Sequence, residues 1–211
     1  MEKEIKITIE NKELEGTLNI PEKAKGIVLF AHGSGSSRFS PRNRYVAEIL
    51  QKAGFATLLF DLLTKEEDEI DEITGQYRFD IPLLAERLIE VTKWLEKNPE
   101  TKTFSIVYFG ASTGAGAALI AVAKYPKAKA IVSRGGRPDL AAEHLQKVKA
   151  PTLLIVGGND DVVIKLNQQA LAKLKCEKKL EIVPGATHLF EEPSTLEKVA
   201  QLAADWFKKH L

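Results

Sequence analysis

The segment from Phe104 to Ile120 limits what this 211-residue chain can fold into more than any other stretch. An apolar run ending in Val107, Tyr108 and Phe109 has the make-up of a strand buried on both faces. It stops at Ser112, set between Gly110 and Gly114, and resumes as a run of small residues from Ala115 that suits a helix lying close to the sheet. A serine at so sharp a strand-to-helix turn is forced into a strained backbone conformation, and side chains two residues to either side would strike neighbouring backbone. The two glycines remove those side chains. Such a turn lifts the Ser112 hydroxyl clear of the sheet edge and aims the first unpaired N–H groups of the helix toward it.

The rest of the chain supports the same layering. Residues from Glu4 and from Leu14 alternate with period two on either side of Asn11 and Lys12, which predicts an opening β-hairpin. Strands follow near 27–31, 55–61, 104–109, 129–133, 152–157 and 179–183, giving an eight-stranded, mostly parallel sheet with helices on both faces. Ser40 before Pro41, Asp80, and Ser194 with Glu197 as a capping box are the expected helix starts. The length suits a single domain over 1–211, with no linker or internal repeat. Only Arg134 to Ala150 separates two of the strands, room for one short helix and no cap domain. The active site of such a chain is expected to be open.

A serine hydroxyl is a weak nucleophile, so Ser112 needs a base and a group to orient it. His188 follows a strand and the Pro184-Gly185 turn, on a loop at a strand's carboxyl end. His144 and His210 sit in polar surroundings and are expected to be solvated. His32, before glycines and serines, is expected to shape a backbone turn. Asp160 and Asp161 share the turn after the 152–157 strand, and either could hold the imidazole. Parallel strands collect their reactive loops at one rim, and the order Ser112, Asp160, His188 is that of α/β-hydrolases.

Composition narrows the partners. With 30 basic and 29 acidic residues the net charge is +1, which leaves no electrostatic footprint for nucleic acid. No apolar run approaches a membrane span, and the charged start at Glu2-Lys3-Glu4 lacks the apolar core of a signal peptide, so a cytoplasmic address is expected. The lone Cys176 lies beside a charged run and is expected to be structural. The acidic stretch from Lys65 to Glu72 is expected to be a solvated surface, with a mobile flap as the alternative.

Four ordered motifs from His32 onward make the chain resemble a small α/β-hydrolase of the dienelactone-hydrolase-like group. His32-Gly33-Ser34-Gly35 is similar to that family's oxyanion loop, Gly110 to Gly114 to its nucleophile turn, Gly157 to Val163 to its acid turn, and Gly185 to His188 to its histidine loop. The resemblance implies Ser112, Asp160 and His188 as a triad, with Asp161 second to Asp160, and Ser34 and Thr113 N–H groups as the oxyanion hole. It implies hydrolysis of small esters or lactones without a cofactor or metal. The chain departs from dienelactone hydrolases proper in carrying serine where they carry cysteine. Arg134, and after it Arg38 and Arg78, lie near strand ends, where they are expected either to contact a substrate carboxylate or to hold loops through ion pairs. Thioester or amide cleavage by the same triad, and a binding or regulatory role with little turnover, are the other readings.

Overall fold

The computed structural model describes residues 2–211. A single eight-stranded sheet runs in the order β1-β2-β4-β3-β5-β6-β7-β8. Its strands are β1 (Glu2–Ile9), β2 (Lys12–Asn19), β3 (Ile27–Ala31), β4 (Ala56–Phe60), β5 (Ile106–Ala111), β6 (Ile131–Arg134), β7 (Thr152–Gly157) and β8 (Lys178–Val183). The β1–β2 hairpin is antiparallel and joins β4 antiparallel; from β4 onward every neighbouring pair is parallel. All residues of β3, β4, β5, β6 and β7 are buried, as strands covered on both faces must be.

The helices are α1 (Pro41–Lys52), α2 (Lys65–Thr74), α3 (Ile81–Lys97), α4 (Thr113–Lys124), α5 (Asp161–Lys173) and α6 (Thr195–His210), with a 3-10 segment at Pro138–Lys147. Side-chain alternation along the strands divides the core. Val28, Phe30, Val107, Phe109 and Val132 pack with α1 and α6. Leu29, Tyr108 and Ile131 pack with α3 and α4 on the other side. Small residues let α4 approach closely: a Cβ on Gly116 would lie 2.9 Å from the Arg137 carbonyl oxygen.

Two helix starts follow the expected chemistry and one does not. Ser40 caps α1, and the Asp80 carboxylate accepts the Leu83 N–H at 3.0 Å. Ser194 makes no cap: it is left-handed with φ 64°, and the Glu192 carbonyl instead accepts both Thr195 N–H (3.1 Å) and Thr195 Oγ1–H (2.7 Å). The capping box of the molecule is at α2, between Thr64 and Glu67. The acidic stretch is therefore a helix, and two of its acids are not solvated. Glu67 pairs with Arg87 at 2.7 Å and with Lys12, and Asp71 is 2 % exposed. His210 is likewise packed, its ring centroid 4.6 Å from that of Trp206. No helix among the described residues is long and apolar enough to cross a membrane.

Candidate active site

Ser112 joins β5 to α4 with φ 50° and ψ −123°, a conformation that costs a non-glycine residue about 1–3 kcal/mol and persists only where the surroundings enforce it. The surroundings are backbone. A Cβ on Gly110 would sit 2.5 Å from Ala115 Cα, and one on Gly114 would overlap the carbonyl oxygens of Ala31 and His32. The Ser112 N–H donates to the Arg134 carbonyl at 3.2 Å, and its own carbonyl accepts from Arg137 N–H at 3.0 Å. The serine is thus pinned through its main chain, and its hydroxyl has no protein hydrogen-bond partner among the described residues.

Asp160 and His188 are brought together by a second set of close approaches. Asp160 is the N-cap of α5 and accepts from His188 Nδ1–H at 2.7 Å. Asp161 is the first helical residue, is exposed, and among the described residues makes no hydrogen bond to the ring. The loops carrying the pair are locked by Gly158 N–H to Val183 O (2.8 Å) and Asn159 N–H to Ala186 O (2.9 Å). A Cβ on Gly157 would lie 2.5 Å from Thr187 O. Glu192, from the turn before α6, holds the loop from the other end by accepting Thr187 N–H at 3.0 Å. With Nδ1–H given to the carboxylate, the tautomer assigned by this network leaves Nε2 as an acceptor. The imidazole is 40 % exposed and Asp160 14 %.

The two groups converge across β6. Ser112 N–H rests on Arg134 O, and the next residue, Gly135 (φ 51°), lies beside the ring: its absent Cβ would be 3.6 Å from His188 Cε1. No hydrogen bond joins Ser112 Oγ to His188 among the described residues. Bonds of this kind often tighten only around a substrate.

The third loop, after β3, passes next to the serine, where a Cβ on Gly33 would lie 3.1 Å from Ser112 Cβ. His32 shapes this loop: its Nε2 accepts Leu62 N–H at 3.1 Å, and its Nδ1–H donates to Gly33 O at 3.0 Å. Burial holds its pKa below the ordinary histidine value, against the opposing pull of the Gly33 carbonyl and nearby Asp61 and Asp68. Ser34 N–H, an expected oxyanion donor, is engaged by the Thr113 hydroxyl at 2.8 Å. Thr113 opens α4, so its own N–H has no acceptor within the helix. The side chain of Thr113 carried no signal in the sequence, where only its backbone position was informative.

A cavity of about 600 Å³ opens from Gly33, Ser34 and Gly35 toward α2, floored by Leu62, Leu63 and Leu84. Ser112 and His188 do not line it. Arg38 and Arg78 do, but neither is a free clamp. Arg38 is held by Asp61, by Glu15 at 2.7 Å and by Glu4 at 3.3 Å. Arg78 is bound to Asp71 at 2.6 Å. Burial raises the Asp71 carboxyl, but the N–H groups of Arg78 and Tyr77 and the Arg78 guanidinium outweigh it and leave its pKa below the ordinary value. Arg134 shares the strand face of Val132, meets Asn43 of α1 at 3.1 Å and does not line the cavity. The expected arginine clamp is therefore not assembled: two members are neutralised by carboxylates and the third faces elsewhere. Burial first, and then Arg42, lower the Arg134 pKa to about 10. Among the described residues no group of three or more His, Cys, Asp or Glu side chains could hold a metal ion. Cys176 lies outside the site, half-buried with Sγ 3.7 Å from Thr152 Oγ1, and burial raises its pKa.

Comparison with known proteins adds four results. The sequence model described as "Dienelactone hydrolase family" matches residues 14–211. A crystal structure of a dienelactone hydrolase from Anabaena variabilis superposes with a TM-score of 0.98 at 59 % identity, over 100 % of this chain and 98 % of that one. Est1E from Butyrivibrio proteoclasticus has a TM-score of 0.81 at 16 % identity, over 98 % of each chain, a likeness of fold alone. Two Mycobacterium tuberculosis proteins that carry the name phosphoribosyl transferase are 59 % identical over 100 % of this chain and 47 % of their own length, so the chain spans about half the length of these relatives.

Proposed function

Since the chain belongs to the dienelactone hydrolase family, with the α/β-hydrolase fold, we propose that it cleaves small carboxylic esters or lactones through an acyl-enzyme formed on Ser112. The observation that carries this reading is the 2.7 Å bond from His188 Nδ1–H to Asp160, on loops that meet the strained Ser112 turn at one rim. In the reaction Ser112 Oγ attacks the carbonyl carbon as His188 Nε2 takes its proton. Asp160 keeps the proton on Nδ1 and stabilises the imidazolium that forms. The carbonyl π electrons move to oxygen, and the oxyanion is met by Thr113 N–H and the Ser34 corner. There the Thr113 hydroxyl accepts from Ser34 N–H and keeps its own proton to donate. His188 then protonates the leaving alcohol, water takes its place, and the same steps in reverse order release the acid.

Arg38 and Arg78 enter this reading as parts of the cavity wall, since a substrate carboxylate would have to displace Asp61, Glu15 or Asp71 to reach them. The cavity then favours neutral acyl or alkoxy groups lying along Leu62, Leu63 and Leu84. The name carried by the M. tuberculosis relatives describes proteins about twice as long. The hydrolase-family match fills residues 14–211, so in our reading phosphoribosyl transfer belongs to the half those proteins do not share with this chain.

Short p-nitrophenyl esters assayed with the wild type and Ser112→Ala test the proposal. Turnover by the wild type alone supports it, and equal rates for both proteins sink it in favour of a binding role. A matched panel of lactones, thioesters and amides then ranks the acyl groups, and a preference for thioester or amide over ester would replace the substrate class while keeping the triad.

A further inference from the structure

A buried arginine normally meets a carboxylate, as Arg87 meets Glu67 at 2.7 Å in this molecule. Arg134 does not. It is 7 % exposed, and among the described residues its guanidinium makes one hydrogen bond, from a terminal nitrogen to the amide oxygen of Asn43. Among the described residues its Nε is buried without a partner, and so is the Nε of Arg42, close enough for the two cations to repel. Among the described residues the carboxylate in salt-bridge contact with either is Glu191, which is 63 % exposed and touches Arg42 at 3.1 Å.

The first turn of α1 adds to the positive potential. Asn43 and Arg42 lie in that turn, which carries no acidic residue to offset the positive end of the helix dipole. Water can satisfy the orphaned N–H groups of such a place but not its charge, and a buried charge without a counter-ion is strongly destabilising. We propose that Arg134, Arg42 and the first turn of α1 bind a small oxyanion of the phosphate class, entering from the Arg42 side. Two guanidinium charges against one exposed carboxylate match a dianion better than a singly charged ion. Both orphaned Nε–H groups then gain an acceptor. The site lies on the α1 face of the sheet, none of Arg134, Arg42 and Asn43 lines the cavity, and it does not depend on the ester reading.

Thermal unfolding in low-salt buffer tests this with inorganic phosphate as probe, against sodium chloride at matched ionic strength and sodium acetate. The expected result is a melting temperature that rises with millimolar phosphate and not with the other two. Arg134→Met and Arg42→Gln should each weaken the apparent phosphate affinity at least tenfold, while Ser112→Ala keeps it, which separates this site from the fate of the catalytic proposal. Without phosphate, Arg134→Met should melt no lower than the wild type, because a neutral side chain of similar volume removes the unpaired charge. Phenyl phosphate acting like inorganic phosphate supports a site for a phosphoryl group on a larger molecule; action by inorganic phosphate alone supports one for the free ion. Equal shifts with chloride, a larger shift with acetate, or an undiminished phosphate shift in Arg42→Gln overturns the proposal, whether or not Arg134→Met folds.

Discussion

The carboxyl rim of the sheet is built in two ways. Around Ser112, Asp160 and His188 the loops are held by main chain against main chain, with Gly110, Gly114 and Gly157 making the close approaches possible. Around the cavity the parts are held by side chains: Arg38 to Asp61 and Glu15, Arg78 to Asp71, Glu67 to Lys12 and Arg87. The difference decides which groups remain available for chemistry. Where the backbone does the holding, the Ser112 hydroxyl and His188 Nε2 are left without hydrogen-bond partners among the described residues. Where side chains do the holding, the arginines are already occupied and cannot serve as a clamp. The two stretches should therefore respond to mutation in opposite ways, the first in rate and the second in stability.

The largest effects fall on the backbone-held stretch. Ser112→Ala should lower kcat for a p-nitrophenyl ester by about a millionfold, as loss of the serine does in comparable triads, with little change in melting temperature. Asp160→Asn should cost about ten-thousandfold by unsettling the imidazole tautomer, while Asp161→Asn leaves the rate near that of the wild type. Steady-state kinetics beside a melting curve checks both. A severe rate loss in Asp161→Asn would reverse the assignment drawn from the 2.7 Å bond.

The same contrast explains what the chain discloses before it folds. The Ser112 turn was legible because its requirement is local: glycine at two fixed offsets, a buried strand before and a small-residue helix after. Strand positions were legible for the same reason, and 152–157 coincides with Thr152–Gly157. Its neighbours moved by one or two residues at their ends, where hydrogen bonding rather than apolar content decides. The choice of Asp160 over Asp161 rested on family spacing and is drawn in the structure by a side-chain bond. The fate of the arginines was not legible. Arg38 meets Glu15 and Arg78 meets Asp71 through pairings that a linear reading cannot separate from a free guanidinium near a strand end. The acidic stretch misled similarly, since the burial of Glu67 depends on Arg87, twenty residues away along the chain. Ser194 with Glu197 had the right letters for a capping box, but the demands of the Glu192 turn, which also holds the histidine loop, prevailed.

Thr113 sharpens the comparison at the seam between the two stretches. If its hydroxyl passes the polarity of Ser34 N–H to the oxyanion, Thr113→Val should lower kcat by about a hundredfold with KM little changed, and Thr113→Ser should restore most of it. A purely structural hydroxyl would change the melting temperature of Thr113→Val and spare its kcat. On the ion-paired stretch, Asp71→Asn removes the charge that meets Arg78 and weakens the acceptor of Tyr77 N–H and Arg78 N–H. The expected cost is about 1–3 kcal/mol of stability, read as a lowered denaturation midpoint with an unchanged slope, and no more than a few-fold loss of kcat.

The smallest expected effect is one of pH, and it joins the stretches through His32, whose ring bridges the loop of Gly33 to Leu62 at the cavity floor. Its folded pKa lies below the ordinary value because burial disfavours the imidazolium. The unfolded chain therefore binds the proton more readily, so the stability contributed by the neutral ring is fully present above about pH 6.5 and is lost as pH falls from there through the folded pKa. Asp71 also has a depressed folded pKa, but its contribution is lost only lower down, as pH falls from the ordinary carboxylate value near 4. Melting temperatures followed from pH 7.5 to 5 should show a decline that is shallower in His32→Gln, whose amide cannot take up the proton. The Asp71→Asn variant should run parallel to the wild type over that range and diverge from it only in stronger acid. Identical slopes for wild type and His32→Gln between pH 6.5 and 5 would show that the loop of Gly33 does not depend on keeping this ring neutral, and that its shape rests on Gly33 and the main chain alone.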